Sequence, residues 1–105
     1  MPSIADLNDA LRMSFYGGKL VMTAAFAALP VEKQARVTDR VRSFDAFTPD
    51  NDPHGEHDFG CFELEGQRFF FKVDYYDKDM TAGSEDPADP AKTTRVLTVG
   101  FMADY

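Results

Sequence analysis

The chain has no tryptophan, one cysteine and two histidines in 105 residues. The lone Cys61 excludes an internal disulfide framework and fits a reducing compartment. No apolar run reaches the roughly 20 residues that a bilayer-spanning helix requires, and the longest stretch, Leu20 to Leu29, is about half that, so no membrane association is expected. The N-terminus, Met-Pro-Ser-Ile-Ala-Asp, lacks the basic n-region of a secretion signal, and a cytoplasmic protein is expected. Glycine-rich phosphate cradles, nucleophile elbows and cysteine pairs are also missing, and Gly17-Gly18 alone is too weak a signal to replace them. What is present is carbon: 44% hydrophobic residues and ten phenylalanines. That is enough for one modest core in a single domain spanning 1–105 without metal or disulfide staples.

The formal net charge of −7 is unevenly placed. Residues 1–44 hold six bases and four acids, a net +2, and residues 91–105 add +1. Residues 45–90 hold thirteen acids against Arg68, Lys72 and Lys78, a net −10. A concentrated acidic surface repels nucleic acid and attracts basic protein surfaces or cations. Direct DNA or RNA binding is therefore disfavoured, although the basic stretch Arg36–Arg42 leaves it open.

Ser3 and Asp6 match a capping box, and Ile4, Leu7, Leu11 and Phe15 recur at helical spacing, which predicts a helix over 4–15 closed by Gly17 in the left-handed region. Lys19 to Ala25 reads as a buried strand. Pro30 and Glu32 suit the start of a second helix with Val37, Val41 and Phe44 as its apolar stripe. Asp45 to Pro53 is a loop. His57 to Glu65 reads as a strand whose imperfect alternation predicts a bulge near Gly60. Glu65-Gly66 supplies a tight turn. Gln67 to Tyr76 alternates, with Phe69, Phe71, Val73 and Tyr75 on one side. Asp77 to Lys92 is a long irregular loop, and Thr93 to Met102 is a last strand with Leu97, Val99 and Phe101 facing inward. The expected fold is α+β in the order α-β-α-β-β-β, two helices on one face of a four-stranded, mainly antiparallel sheet. Phe70 and Tyr76 on the outer face would then form an exposed patch, which admits self-association.

Both histidines lie in one polar segment, Asp50-Asn-Asp-Pro-His-Gly-Glu-His-Asp-Phe-Gly60. A calcium loop would use Asp50, Asp52 and His54 at positions one, three and five, Gly55 at six and Asp58 at nine. Position twelve, where a bidentate glutamate belongs, is Cys61. A divalent transition metal could instead take His54, Glu56, His57 and Asp58, whose donor types suit zinc, although no helix presents them. General acid–base chemistry could combine a histidine with Asp74, Tyr75 or Tyr76. A His57–Cys61 pair is excluded, because residues four apart in a strand stand about 13 Å from each other. The remaining reading is a rigid turn: Asp and Asn accept backbone N–H bonds, Pro fixes φ, and Gly supplies positive φ. The loop at 77–90 is likewise either a binding loop or an acidic connector.

Asn8-Asp-Ala-Leu-Arg12, Val21-Met-Thr-Ala24, the segment Asp50–Gly60, Asp74-Tyr-Tyr-Asp77, and Asp86-Pro-Ala-Asp-Pro90 through Thr93-Thr-Arg-Val-Leu-Thr98 together resemble a bacterial domain-of-unknown-function family. The resemblance spans nearly the whole chain. It implies a short single-domain protein of a kind often carried on plasmids and other mobile elements, and it brings no catalytic residue with it. It shifts weight toward a protein that interferes with host machinery. The expected function is accordingly a non-enzymatic interaction protein without a cofactor. Asp50, Asp52, Glu56, Asp58, Asp77, Asp79, Glu85, Asp86 and Asp89 would occupy a basic surface of a nucleic-acid-handling protein, as an anti-defence or anti-CRISPR inhibitor would. The alternative is a small metal-binding protein or metal-dependent enzyme centred on His54 and His57.

Overall fold

The computed structural model describes residues 2–105. Helix α1 (Ile4–Ser14) opens with the expected reciprocal cap: Asp6 N donates to Ser3 Oγ and Ser3 N donates to Asp6 Oδ2, both at 3.0 Å. Its end differs from expectation. Phe15, not Gly17, takes the left-handed cap at φ 62°, and its N–H bonds the Leu11 carbonyl. Phe15 tolerates this because its ring packs against the core under the Arg42 guanidinium.

Strand β1 (Lys19–Met22) is shorter than the expected 19–25 stretch. The Thr23 N–H bonds the Val99 carbonyl, and the chain then coils into a short helix α2 (Ala24–Ala27), as good helix-forming alanines allow. Pro30 caps helix α3 (Val31–Ser43), which buries Val37 and Val41.

Strands β2 (Phe59–Leu64), β3 (Gln67–Tyr76) and β4 (Thr94–Phe101) form the antiparallel meander. Both residues of the Glu65-Gly66 turn have positive φ, as a primed two-residue hairpin turn requires. β1 joins the far side of β4 in parallel, giving the order β1-β4-β3-β2 and a mixed sheet. The long connection through α2, α3 and two strands makes that parallel pairing possible. The three helices share one core with the inward residues Phe62, Phe69, Phe71, Leu97 and Val99. Each such large apolar side chain contributes on the order of 1.5–3 kcal/mol by leaving water.

The expected bulge at Gly60 does not exist, because β2 pairs with β3 without interruption. Alternation looks imperfect because Gly60 is an inward position and Phe59 and Cys61 are outward ones. Gly60 is required there: a Cβ would stand 2.4 Å from the Phe71 ring and 2.8 Å from the Phe44 ring. The expected outer patch is also corrected. Phe70 is only 2% exposed. A final 3₁₀ turn (Met102–Asp104) brings Tyr105 to 5.1 Å from its ring centroid, with Phe59 alongside. No helix among the described residues is long and apolar enough to cross a membrane.

Gly60→Ala would overpack the Phe44–Phe71 contact and lower stability by about 1–3 kcal/mol. Urea denaturation of this variant against the parent measures the loss; an unchanged midpoint would show that the two rings can give way.

Candidate functional site

The polar segment builds itself from local bonds. Thr48 N donates to Asn51 Oδ1, Asn51 N donates to Thr48 Oγ1, and Asp52 N donates to the Thr48 carbonyl. Gly55 turns the chain at φ 65°. The Asp52 carboxylate, 8% exposed, then accepts the Glu56 N–H at 3.0 Å and the His57 N–H at 3.2 Å. Those two bonds hold His57 at φ 56°, a left-handed conformation that a non-glycine residue adopts only when its surroundings fix it.

The His57 ring is equally fixed. Its Nδ1 lies 3.0 Å from both Asp9 carboxylate oxygens, Nε2 is 3.8 Å from Asp52 Oδ2, and the ring stacks on Phe47 at 4.1 Å. Asp9 also receives Arg12 Nη2 at 2.9 Å. Arg12, buried, sends Nη1 to the carbonyls of Val41, Arg42 and Phe44. It thereby neutralises the orphan carbonyls and negative dipole end of α3.

A second group joins the two irregular segments. Asn8, fully buried on α1, donates Nδ2 to the Glu56 carbonyl at 2.9 Å and to the Tyr75 hydroxyl at 2.7 Å. Its Oδ1 accepts from Arg95 Nε at 2.9 Å. The Tyr75 hydroxyl in turn donates to Glu56 Oε1 at 2.7 Å. Arg95 Nη2 reaches the Pro87 carbonyl in the long loop. Burial, then the bond to Glu56, raises the Tyr75 pKa well above that of free tyrosine. Burial also lowers the Arg95 pKa. Asn8, Glu56, Tyr75 and Arg95 therefore connect α1, the polar segment, β3, β4 and the 84–93 stretch.

The expected acidic set divides by task. Asp50, Asp79, Glu85 and Asp86 are exposed. Asp52 caps backbone N–H groups, Glu56 accepts from Tyr75, and Asp89 accepts the Ala91 N–H. Asp77 binds the Thr81 N–H and hydroxyl, and the backbone bond lowers its pKa. Asp58 is half-buried, and burial raises its pKa. His54 stands exposed on the turn while His57 turns to Asp9, and among the described residues the two rings share no partner. Among the described residues no three His, Cys, Asp or Glu side chains group to hold a metal. Cys61 faces the opposite side of the sheet from His57's partners, with Arg68 beside its sulfur at 3.7 Å.

Sequence reasoning missed Asn8, Asp9, Arg12 and Arg95. A signal existed for three of them. Asn8 and Arg12 continue the i, i+4 series from Ile4, and Arg95 is in phase with Leu97 and Val99. A polar residue in phase with a core face is a buried one with partners.

Residues 22–104 match the family model DUF3768, described as a protein of unknown function. The chain belongs to that family. No curated protein and no solved structure matches it. In this DUF3768 chain the matched span holds Glu56, His57, Tyr75 and Arg95, whereas Asn8 and Asp9, which bind them, precede it.

Asp58 and Asp77 should titrate on opposite sides of the ordinary value of 3.8. For Asp58 the folded pKa is raised, so its contribution is present below the unfolded pKa and is lost as pH rises through the folded value. Asp58→Asn should therefore gain stability relative to the parent at neutral pH and gain none in acid. Carboxyl-carbon NMR titration and paired urea melts check this; Asp58 titrating below Asp77 would contradict it.

Proposed function

We propose that the protein is a non-enzymatic interaction module whose acidic loops occupy a basic protein surface. The observation that carries this reading is the shared anchor of the two loops. The Asp50–Asp58 segment is held through the Glu56 carbonyl and the loop after Asp77 through the Pro87 carbonyl, and Asn8 with Arg95 connects both. Loops already ordered before binding lose less conformational freedom on association. Asp50, Asp79, Glu85 and Asp86 are the outward carboxylates on this framework. Clustered carboxylates imitate phosphate charge and speed encounter by steering, so the partner we infer is a basic, nucleic-acid-handling protein of a bacterial host. Inhibition in the manner of an anti-defence or anti-CRISPR protein, in the cytoplasm and on behalf of a mobile element, is the biological setting that fits such chemistry.

The metal reading at His54, Glu56, His57 and Asp58 gains no comparable support, because Asp9 and Phe47 hold His57 and Tyr75 engages Glu56.

Asp50→Lys, Asp79→Lys, Glu85→Lys and Asp86→Lys combined should leave the fold intact, since all four side chains lie at the surface. Affinity purification from bacterial extract, quantified by mass spectrometry, should enrich basic nucleic-acid-handling proteins with the parent and lose them with the variant. An identical set captured by both would refute the acidic-surface reading.

A further inference from the structure

Arg95 carries a charge that the protein does not neutralise by direct pairing. It is 3% exposed, yet Nε donates to the Asn8 amide oxygen and Nη2 to a backbone carbonyl, both neutral acceptors. Tyr75 lies against its face, 5.3 Å from guanidinium carbon to ring centroid. The other buried arginine, Arg12, has Asp9 at 2.9 Å, whereas Arg95 forms no ion pair among the described residues. A guanidinium offers five N–H donors. Two are used, which leaves both Nη1 hydrogens and one on Nη2, donors of the kind that match a carboxylate or phosphate. The Glu56 carboxylate acts on Arg95 only through space, being engaged by Tyr75, and a buried cation without a directly paired anion favours an incoming one.

A cleft of about 340 Å³ opens beside Arg95, between α1, the turn that follows it and the long loop. Leu7 and Ala10 supply a carbon wall and Lys78 a second cation, with Tyr16 and Thr93 also in the lining. Among the described residues no aspartate or glutamate lines it, although the chain as a whole is acidic. Its volume is many times the ~30 Å³ share of one water and near the lower end of small-ligand pockets, larger than a bare inorganic anion fills.

The geometry points to a binding site for a small organic oxyanion, a carboxylate or phosphate monoester with an apolar body. The free Arg95 Nη donors hold the oxygens, Lys78 adds charge from the rim, and Leu7 and Ala10 cover the carbon portion. The site is independent of the acidic loops' outward carboxylates and stands or falls without them.

Titration of the full chain with phenyl phosphate, benzoate and neutral benzamide, followed by ¹H–¹⁵N NMR at constant ionic strength, tests the assignment. Saturable shifts at the Gly17, Lys78 and Thr93 amides and at Arg95 Nε–H are expected with at least one anion, and which anion responds identifies the oxyanion class. Benzamide should produce none. Lys78→Ala, at an exposed position that leaves the fold intact, should bind about tenfold more weakly, the loss of one charge-assisted contact. Absence of saturable shifts with both anions, equal binding of benzamide, or unchanged affinity in Lys78→Ala would each overturn it.

Discussion

One buried asparagine amide holds the irregular half of this molecule together. Asn8 uses both amide hydrogens and its carbonyl oxygen on three different segments, at 2.7–2.9 Å. Removing a partner from such a buried network costs the desolvation of every group left behind, about 1–3 kcal/mol each. The helices and meander form from periodic apolar residues. The two long irregular stretches have no such periodicity, and their positions depend on polar bonds reaching them from α1, β3 and β4.

That arrangement gives the charge pattern its meaning. Several carboxylates of the −10 region act inside the protein, with Asp52 and Asp77 capping turns and Glu56 accepting from Tyr75. Local capping leaves a smaller set of acids facing outward, fixed by a framework that is itself cationic at Arg95. The same framework leaves Arg95 without a directly paired carboxylate among the described residues, so one network presents acids at the surface and a cation in a cleft.

Much of the fold was legible in the sequence, and the omissions have physical causes. The β2–β3–β4 meander followed from two-residue alternation and the Glu65-Gly66 turn, and α1 from its capping box. The 19–25 stretch ends as a strand at Met22 because Ala24, Ala25 and Ala27 favour helix, and the Thr23–Val99 bond marks the change. The bulge was inferred from outward Phe59 and Cys61, whose apolar character is explained on Phe59's side by Tyr105, 5.0 Å away and at the far end of the chain. The polar segment is the specific turn that its Asp, Asn, Pro and Gly residues imply. Its connection to Asp9 and Asn8, some 48 residues distant, left no local trace.

Amide hydrogen exchange on Asn8→Ala, compared with the parent, tests the central claim most directly. If Asn8 anchors both segments, exchange should accelerate together at Glu56–Asp58 and across 84–93, while the β3–β4 ladder keeps its protection. Acceleration confined to one of the two segments, or to α1 alone, would contradict the shared anchor.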